Sequence, residues 1–219
     1  MIVPDLMTLA QQCAPDVSPA TMTAIVRTES AFNPYAIGVV RGRLLHQPSS
    51  IEEAIATVRA LDAGHWNYSV GLAQVNRSNW PRLGLNVQDA FDPCRNLAAG
   101  GAILQNCFQL ARASQTDVQR ALRQGLSCYA SGSLVTGYRT GYVQRVVNNA
   151  TANVAVRPLP TVPAIAPSVS PIPVVPTDSD GLPAQPFRQT VEHGQPGTNL
   201  FDPQRGERDE RPDNSAVVF

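Results

Sequence analysis

Residues 18–34 read SPATMTAIVRTESAFNP, and this stretch decides what the sequence predicts about the fold. Ser18 is a residue type that caps helices, and Pro19 suits the first helical position. One face of the predicted helix takes positions i, i+3, i+4 and i+7, which hold Met22, Ile25, Val26 and Glu29. Asn33–Pro34 ends the helix, because the residue before a proline avoids the α region. A carboxyl group therefore takes an apolar-face position in the last turn of an amphipathic helix.

The position of Glu29 predicts a raised pKa. Desolvation on the apolar face and the negative end of the helix dipole both disfavour the charged form. An ordinary glutamate titrates near ~4.3, whereas a general acid at neutral pH needs a pKa nearer ~6. Glu29 is thus a candidate catalytic acid. The alternative is a structural role in which Glu29 caps the helix or pairs with Arg27 or Arg95, and helical phase alone favours that alternative.

Apolar periodicity and capping residues predict four further helices. They cover residues 50–64, from 92 to at least 108, about 117–130 and about 138–150. Residues 65–91 lack a helical period, and a short hairpin is predicted near Trp66–Asn76. The predicted fold class is therefore α+β and predominantly helical, with a small irregular or hairpin region.

Proline divides the chain into a domain at 1–153 and a tail at 154–219. Seven of the 19 prolines lie in residues 1–154 and twelve in 155–219. Such spacing favours extended polyproline II, and the charged end of the tail is typical of disorder. The tail is predicted to make few contacts with the domain. It acts either as a spacer or as a segment that docks in a partner's groove, and both readings stay open.

Four cysteines lie in the domain, and their number and placement favour disulfides over free thiols. Cys94 and Cys107 are thirteen residues apart on one predicted helix, which separates them by roughly 20 Å. A disulfide needs Cα atoms within about 7 Å, so this pairing is excluded. Cys13–Cys94 with Cys107–Cys128 is favoured, and Cys13–Cys107 with Cys94–Cys128 remains open. No cysteine pair has close zinc-ligand spacing and the histidines are scattered, so no metal site is predicted.

Charge and hydropathy restrict the partners. The net charge is zero, which favours neither nucleic acid nor an anionic membrane surface. No run reaches the roughly 18 apolar residues of a membrane-spanning helix. The first ten residues, MIVPDLMTLA, carry an aspartate and lack a basic start, so they form a poor secretory signal.

Three segments place Glu29 in a wider pattern. Glu29-Ser30 closes its helix, NYSVGLAQVN follows at 67–76, and CYASG at 128–132 precedes YVQRV at 142–146. Their order and spacing resemble the lytic transglycosylases that share the lysozyme fold. In that family a Glu-Ser helix end, a Gly-Leu-Met-Gln-Ile-Asn-like segment and an Ala-Tyr-Asn-Ala-Gly-like segment converge on one cleft, which a later Tyr-Val-x-x-Val helix braces.

The resemblance is strongest to the peptidoglycan-degrading subunit of type IV secretion systems. It includes ESAFNPYAIGVV at 29–40 and FDPCRNLAAG at 91–100, and it spans about residues 10–150. It implies a lysozyme-like domain that cuts peptidoglycan glycan strands in the periplasm, where it opens the cell wall for assembly of the secretion system. Envelope proteins of that system are then candidate partners of the tail.

The resemblance also implies residue roles. Glu29 is the catalytic acid/base. The substrate-binding set would have Gln74 contacting the sugar beside the scissile bond, Asn76 supporting that segment, Tyr129 orienting the Glu29 carboxyl, and Ser30 and Tyr68 shaping the cleft. The sequence departs from the family in two places, because Ala73 replaces a methionine at the expected cleft wall and Ser131 replaces an asparagine.

The number of carboxylates points to the reaction. Glu29, Glu52 and Glu53 are the glutamates of residues 1–154, and the last two belong to a helix start. Ordinary glycosidases place two carboxylates across the bond, whereas one is found here. The resemblance implies that one glutamate serves as acid and then base, that the substrate's N-acetyl group assists, and that a 1,6-anhydro product forms without cofactor or metal. The alternatives are a hydrolytic lysozyme and a non-catalytic wall-binding or assembly module.

Overall fold

The computed structural model describes residues 5–151 and 169–177. The helices are α1 (Leu6–Cys13), α2 (Pro19–Ser30), α3 (Ile51–Ala63), α4 (Trp80–Leu83), α5 (Val87–Phe91), α6 (Pro93–Arg112), α7 (Val118–Ser131), α8 (Thr136–Arg139) and α9 (Tyr142–Thr151). The strands are β1 (Ile37–Val39), β2 (Gly42–Leu44), β3 (Tyr68–Val70), β4 (Val75–Asn76) and β5 (Val174–Pro176). The fold is α+β and predominantly helical, which confirms the predicted class.

Local signals placed most of the long helices correctly. Ser50 caps α3 by accepting a hydrogen bond from the Glu53 backbone N–H, and Asp92 caps α6 in the same way. The last predicted helix is wrong at its start. Gly141 takes a left-handed conformation with φ of 72° and separates α8 from α9, so the final long helix begins at Tyr142. That position matters below, because it fixes where the Tyr142 side chain lies.

The predicted hairpin is present as β3 and β4. An antiparallel sheet in the order β1-β3-β4 contains it, with Ile37 opposite Val70 and Val70 opposite Val75. The Gln47 side chain lies across β1 and bonds both the N–H and the C=O of Ile37, at 2.8 and 3.0 Å. The sheet holds the chain that enters and leaves the 71–74 turn.

Two hydrophobic clusters form the interior. One lies among the long helices and contains Met22, Ile25 and Leu72, and the other lies around the sheet and α3 and contains Val70 and Ala73. Consecutive residues of the 71–74 turn are thus buried in different clusters. This turn lies where the helical part meets the sheet part, and it is fixed from both sides.

Both disulfides of the favoured pairing are present. Cys13–Cys94 links α1 to α6 with a Cα–Cα distance of 5.2 Å, and Cys107–Cys128 links α6 to α7 with a distance of 5.6 Å. The alternative pairing is therefore wrong. The long helix α6 is tied at its start to the N-terminal helix and in its second half to the helix that carries Tyr129.

The prediction that the tail makes few contacts with the domain is wrong for residues 169–177. Strand β5 pairs antiparallel with β2, and the Ile172 side chain is 4% exposed within the sheet-side cluster. The reason is that an extended proline-rich chain also suits the edge of a sheet. The rest of the predicted disordered tail, 154–168 and 178–219, lies outside the described residues. Within 5–151 and 169–177, no helix combines the length and the hydropathy needed to cross a membrane.

The two disulfides should differ in their contribution to stability. In the chain-entropy model, the 81-residue separation of Cys13–Cys94 gives about 4.5 kcal/mol and the 21-residue separation of Cys107–Cys128 gives about 3.3 kcal/mol. We expect the Cys13→Ser/Cys94→Ser variant to lose more free energy of unfolding in urea than Cys107→Ser/Cys128→Ser. The reverse order would mean that strain or residual denatured-state structure outweighs loop length.

Candidate active site

Glu29 lies in the last turn of α2 and its side chain is buried. The residue is 4% exposed, and Ala31 ends the helix in a left-handed conformation. Glu29 Oε1 accepts a hydrogen bond of 2.5 Å from the hydroxyl of Tyr142, the first residue of α9. The carboxyl group is therefore enclosed between the end of one helix and the start of another.

The surroundings give this carboxyl group an unusual acidity. Burial raises the pKa of Glu29 from its ordinary value of 4.5 to about 7, while the Tyr142 hydrogen bond and the positive charge of Arg145 act in the opposite direction. Burial and the nearby Glu29 charge raise the pKa of the Tyr142 phenol well above its usual value, so this phenol is neutral and donates. A group with a pKa near neutrality can both give and accept a proton.

The structure does not support the alternative in which Glu29 forms an ion pair with Arg27 or Arg95. No ion pair of Glu29 occurs within residues 5–151 and 169–177, and Arg95 instead lies 3.4 Å from Asp89. Arg145 lies near enough to Glu29 to affect its pKa, and its guanidinium carbon is 6.0 Å from the centre of the Tyr142 ring. The charge partner of Glu29 thus acts at a distance, which leaves the carboxyl group free of a fixed cation.

Ser30 connects α2 to the 71–74 turn. Its buried Oγ lies 2.9 Å from the Leu72 carbonyl oxygen and 3.0 Å from that of Val26, so its hydroxyl bridges the two. The prediction that Ser30 shapes the cleft takes a specific form here. Ser30 holds the turn that carries Gln74 against the helix that carries Glu29.

Asn96 of α6 fixes the other side of the turn. Its Nδ2 donates to the carbonyls of Val70 and Ala90, and its Oδ1 accepts from the N–H of Ala73. Gly71 has a φ of +79°, and a Cβ there would lie 2.4 Å from Asn96 Nδ2. Asn96 was not among the residues predicted from the sequence. A signal was present, because an asparagine stands beside Leu97 on the buried face of a well-capped helix.

Gln74 presents a buried acceptor without a partner. It is 7% exposed and has a φ of 46°. Its Nε2 donates to the carbonyls of Ala36 and Gly71, both at 3.0 Å, which fixes the orientation of the amide. Within the described part of the chain its Oε1 has no hydrogen-bond partner. A buried acceptor normally has one, so Oε1 is an exception among the described residues.

A cavity of about 340 Å³ opens beside Gln74. It is lined by Ser69, Gln74, Asn76, Ser78, Asn79, Arg82, Ile103, Asn106, Cys107, Leu110, Cys128, Tyr129, Ala130 and Gly132. Hydroxyl and amide groups form one side, while Ile103, Leu110 and the Cys107–Cys128 disulfide provide apolar surface. Such a mixture suits a sugar, which has hydroxyl edges and apolar ring faces. This set of lining residues contains no carboxylate, and we call the cavity the cleft.

Tyr129 connects the cleft to Glu29, although not through the predicted contact. It lines the cleft, and the Glu29 charge helps to raise the pKa of its phenol. However, its hydroxyl donates to the Ala73 carbonyl at 2.5 Å instead of orienting the Glu29 carboxyl, a role that Tyr142 takes. The reason is Gly100, whose missing Cβ leaves the space through which the Tyr129 hydroxyl reaches the turn. Glu29 itself is not among the lining residues.

Tyr68 lies outside the cleft. It is completely buried, its hydroxyl donates to Asp62 Oδ1 at 2.7 Å, and its ring packs edge-on against Trp80 with centroids 6.1 Å apart. The next residue of the strand, Ser69, lines the cleft instead. Because successive side chains of a strand point to opposite faces, the prediction was wrong by one position.

Asn76 bonds to both strands of the hairpin that carries the cleft segment. Its Nδ2 donates to Asn67 Oδ1 and Ser69 Oγ, and its Oδ1 accepts from the N–H of Ser78. It also lines the cleft. One side chain therefore joins both strands of the hairpin to the 3-10 turn that follows.

The two departures from the family pattern have local explanations. Ala73 is completely buried and packs where a Cβ on Gly100 would lie only 2.6 Å away, so this position faces the interior and not the cleft wall. The Ser131 hydroxyl donates to the Ser127 carbonyl at 2.8 Å and accepts from the Ser133 N–H at 3.3 Å, which holds the turn after α7. No group of three metal-ligating side chains is found within 5–151 and 169–177.

Comparisons with known proteins agree with this arrangement. The model of the transglycosylase SLT domain family matches residues 7–143. The type IV secretion system protein virB1 of Brucella suis is 51% identical over 170 residues, which cover 75% of this chain and 70% of that protein. Protein virB1 of Agrobacterium fabrum is 33% identical over 138 residues, covering 63% of this chain and 56% of that protein. No solved structure matches.

The family match extends from α1 to the start of α9. It therefore includes Glu29, the 71–74 turn, Tyr129 and Tyr142, which are the residues that the structure gathers around the buried carboxyl group. The chain belongs to the transglycosylase SLT domain family, and it is a lytic transglycosylase.

Proposed function

We propose that this enzyme cleaves the β-1,4 bond between N-acetylmuramic acid and N-acetylglucosamine in peptidoglycan and leaves a 1,6-anhydro sugar. The observation that carries the proposal is that, within residues 5–151 and 169–177, Glu29 is the one buried carboxyl group and its pKa is raised. Retaining and inverting glycosidases use a second carboxylate as nucleophile or as base for water. No aspartate or glutamate of the described residues acts on the pKa of Glu29, so in this proposal the substrate supplies the missing nucleophiles.

The first step uses the protonated form of Glu29. Its proton passes to the glycosidic oxygen, the bond to the anomeric carbon breaks, and positive charge develops at that carbon. The carbonyl oxygen of the substrate's own 2-acetamido group attacks the anomeric carbon and stabilises it. The departing sugar leaves with the proton as a hydroxyl group, and Glu29 is left as a carboxylate.

The second step uses the carboxylate. Glu29 takes the proton of the 6-hydroxyl group, whose oxygen bonds to the anomeric carbon while the acetamido oxygen departs. The 1,6-anhydro ring closes, Glu29 is protonated again, and no water is consumed. A pKa of about 7 suits this exchange, because neither protonation state is strongly disfavoured at neutral pH.

Tyr142 and Arg145 stabilise the anionic intermediate state of Glu29. The Tyr142 hydroxyl donates to Oε1, and the Arg145 charge acts in the same direction. Both groups are in place before the proton leaves, so little reorganisation is needed when the charge appears. Tyr142 thus positions the Glu29 carboxyl group and stabilises its charge. From the sequence, Tyr142 was expected only as part of the helix that braces the cleft.

Gln74 is suited to bind the substrate's polar edge. Its Nε2 is held by two carbonyls, so Oε1 is the group left to accept a hydrogen bond from a sugar hydroxyl or an acetamido N–H once substrate binding exposes this buried atom. The positive φ of Gln74 and the anchors of the turn keep the residue in the cleft lining. A hydrogen bond that forms only with substrate present also contributes to specificity.

The named relatives suggest the biological setting. The Brucella suis relative is a type IV secretion system protein, and it is similar over most of this chain. We therefore assign this enzyme to local opening of the periplasmic cell wall during assembly of such a system, with envelope proteins of the system as candidate partners of the tail. The substrate is the glycan strand of peptidoglycan.

Replacing Glu29 tests the acid directly. We expect Glu29→Gln to release no 1,6-anhydro product from purified peptidoglycan, because glutamine cannot donate the proton but keeps an acceptor for Tyr142. Loss of a catalytic proton transfer costs at least about 100-fold in rate. Glu52→Gln is the matched control, because this glutamate lies in the first turn of α3 and does not line the cleft. Turnover by Glu29→Gln would remove Glu29 from this role.

The product mass separates lytic cleavage from hydrolysis. We expect fragments that end in the anhydro sugar, lighter by one water than the reducing-end fragments that a lysozyme gives. Mass spectrometry of a wild-type digest measures this difference. Reducing ends as the primary product would favour the hydrolytic alternative, even if Glu29 remained essential.

The acidity of Glu29 predicts a pH profile. Because the first step needs the protonated form, kcat/KM should fall as pH rises through about 7. Tyr142→Phe removes a hydrogen bond that lowers this pKa, so the falling limb should move upward by about one pH unit. Tyr138→Phe, at an exposed tyrosine of α8, should leave the profile unchanged. An unchanged profile in Tyr142→Phe would contradict the assignment.

The same burial predicts how stability changes with pH. Folded Glu29 keeps its proton up to about pH 7, whereas an ordinary glutamate loses it near 4.5. Stability is therefore lost as pH rises through this interval, by roughly 3 kcal/mol. Glu29→Gln does not titrate, so it should melt above the wild type at pH 8, with a smaller advantage at pH 5. Parallel melting curves across this range would show that the carboxyl group is not held protonated.

A further inference from the structure

The exposed side of β2 and the adjacent surface of α3 form a groove that contains part of the chain's own tail. The domain side of this groove consists of β2 with Thr57, Ala60, Leu61 and Trp66, and we call it the tail groove. Residues 171–174 are in contact with it. We propose that the tail groove is a strand-binding site, that residues 169–177 are its ligand in cis, and that this ligand can leave and be replaced by a strand of the same chemistry.

Backbone pairing gives the groove its first requirement, an extended chain. Within the described residues β2 pairs only with β5, in a register that places Leu44 opposite Val174 and Gly42 opposite Pro176. The ladder continues past both ends, because Leu45 N–H donates to the Pro173 carbonyl and Thr177 N–H donates to the Arg41 carbonyl. Without β5, β2 would present an unpaired edge, which readily accepts another strand.

A single aliphatic side chain gives the second requirement. Ile172 is 4% exposed and packs into the sheet-side cluster, while Pro171 and Pro173 on either side of it are exposed. The Ile172 N–H donates to Thr57 Oγ1 at 3.0 Å. Thr57 is completely buried and donates in turn to the Glu53 carbonyl at 2.7 Å. The groove therefore recognises one buried aliphatic residue by its side chain and by its backbone.

Gly42 provides the space for the ligand. A Cβ at this position would lie 3.0 Å from Val174 Cγ1 and 3.2 Å from the Trp66 ring, so a side chain there would crowd the docked strand. The prolines of the ligand fit the same site. Pro173 faces β2 through its carbonyl, as does Thr177 through its N–H, so the intervening Pro176 faces outward. Because proline lacks an N–H, Pro176 removes a donor from the outer edge of β5 and opposes addition of a further strand. The fixed backbone of Pro171, Pro173 and Pro176 also lowers the entropy lost on docking.

The balance of contacts argues for a ligand that can leave. Residues 169–177 contribute one fully buried side chain, while nine residues must be ordered. Leu44, Thr57 and Trp66 belong to elements with their own contacts in the sheet-side cluster or its helix, so they do not need the tail in order to fold. Seventeen residues of sequence separate the end of α9 from the ligand. A ligand on the same chain has a high effective concentration at its site.

The test uses the full chain with its ligand released. Ile172→Asp places a charge at the buried position, and Ser170→Asp is the matched control with the same charge at an exposed position of the same segment. Hydrogen exchange of residues 169–177 and 42–45 should become fast in Ile172→Asp and stay slow in Ser170→Asp. The melting temperature should stay unchanged in Ser170→Asp, and Ile172→Asp should remain folded with a small decrease, because the other members of the sheet-side cluster are unchanged. If the tail were released only when the whole domain unfolds, the proposal would be overturned, since the segment would then be a permanent part of the fold.

A peptide added in trans tests the groove itself. A labelled peptide VSPIPVVPT, which copies residues 169–177, should bind Ile172→Asp at least about ten-fold more tightly than the wild type, whose own tail competes. Thr57→Val in the Ile172→Asp background should weaken this binding, because it removes the acceptor for the ligand's N–H. Equal binding to both proteins, or no binding to Ile172→Asp, would overturn the proposal.

The oligomeric state tests the assignment in cis. The wild type should remain monomeric across the protein concentrations of the binding assay. A dimer that Ile172→Asp abolishes would mean that the tail of a second copy is the occupant, which contradicts the proposed ligand. None of these readouts uses the catalytic reaction, so the outcome is independent of the proposed function.

Discussion

The active site depends on keeping one carboxyl group out of water. Burial alone would make Glu29 a permanent acid, whereas a direct ion pair would make it a permanent anion. A neutral phenol at hydrogen-bond distance and a more distant guanidinium give the intermediate result, a pKa of about 7. The geometry requires the end of α2 to meet the start of α9, and the Asn149–Thr28 hydrogen bond of 2.9 Å helps to hold these two helices together.

The second constraint is the 71–74 turn, which must bring Gln74 to the cleft in a left-handed conformation. Such a conformation is disfavoured for a residue with a side chain and persists only where its surroundings enforce it. Leu72 and Ala73 are buried in different hydrophobic clusters, while Ser30 and Asn96 bond the turn from opposite sides. Gly100 completes the arrangement by admitting the Tyr129 hydroxyl. Ala73 and Gly100 are therefore small because neighbouring atoms lie too close to leave room for larger side chains.

Local physics made some of this structure predictable and left the rest to tertiary packing. The burial of Glu29 follows from helical phase, and α3 and α6 follow from their caps. Tyr142 is separated from Glu29 by 113 residues, so no pattern of neighbours could assign its hydroxyl to that carboxyl group. Tyr68 illustrates a different limit, because a three-residue strand does not determine from sequence which of its faces meets the cleft. For the disulfides, helix length excluded the Cys94–Cys107 pairing, but it did not decide between the two pairings that remained.

The tail shows why composition predicts conformation better than it predicts contacts. Its prolines correctly exclude a helix, but an extended chain is equally suited to solvent and to the edge of a sheet. What decides between them is the partner surface: an unpaired β2, the space above Gly42 and a buried hydroxyl at Thr57. Strand β2 follows β1, which pairs with β3, and β3 carries Ser69 into the cleft. The groove that receives the tail and the proposed glycan cleft thus both involve strands of the small β region, so the order of that region matters to both.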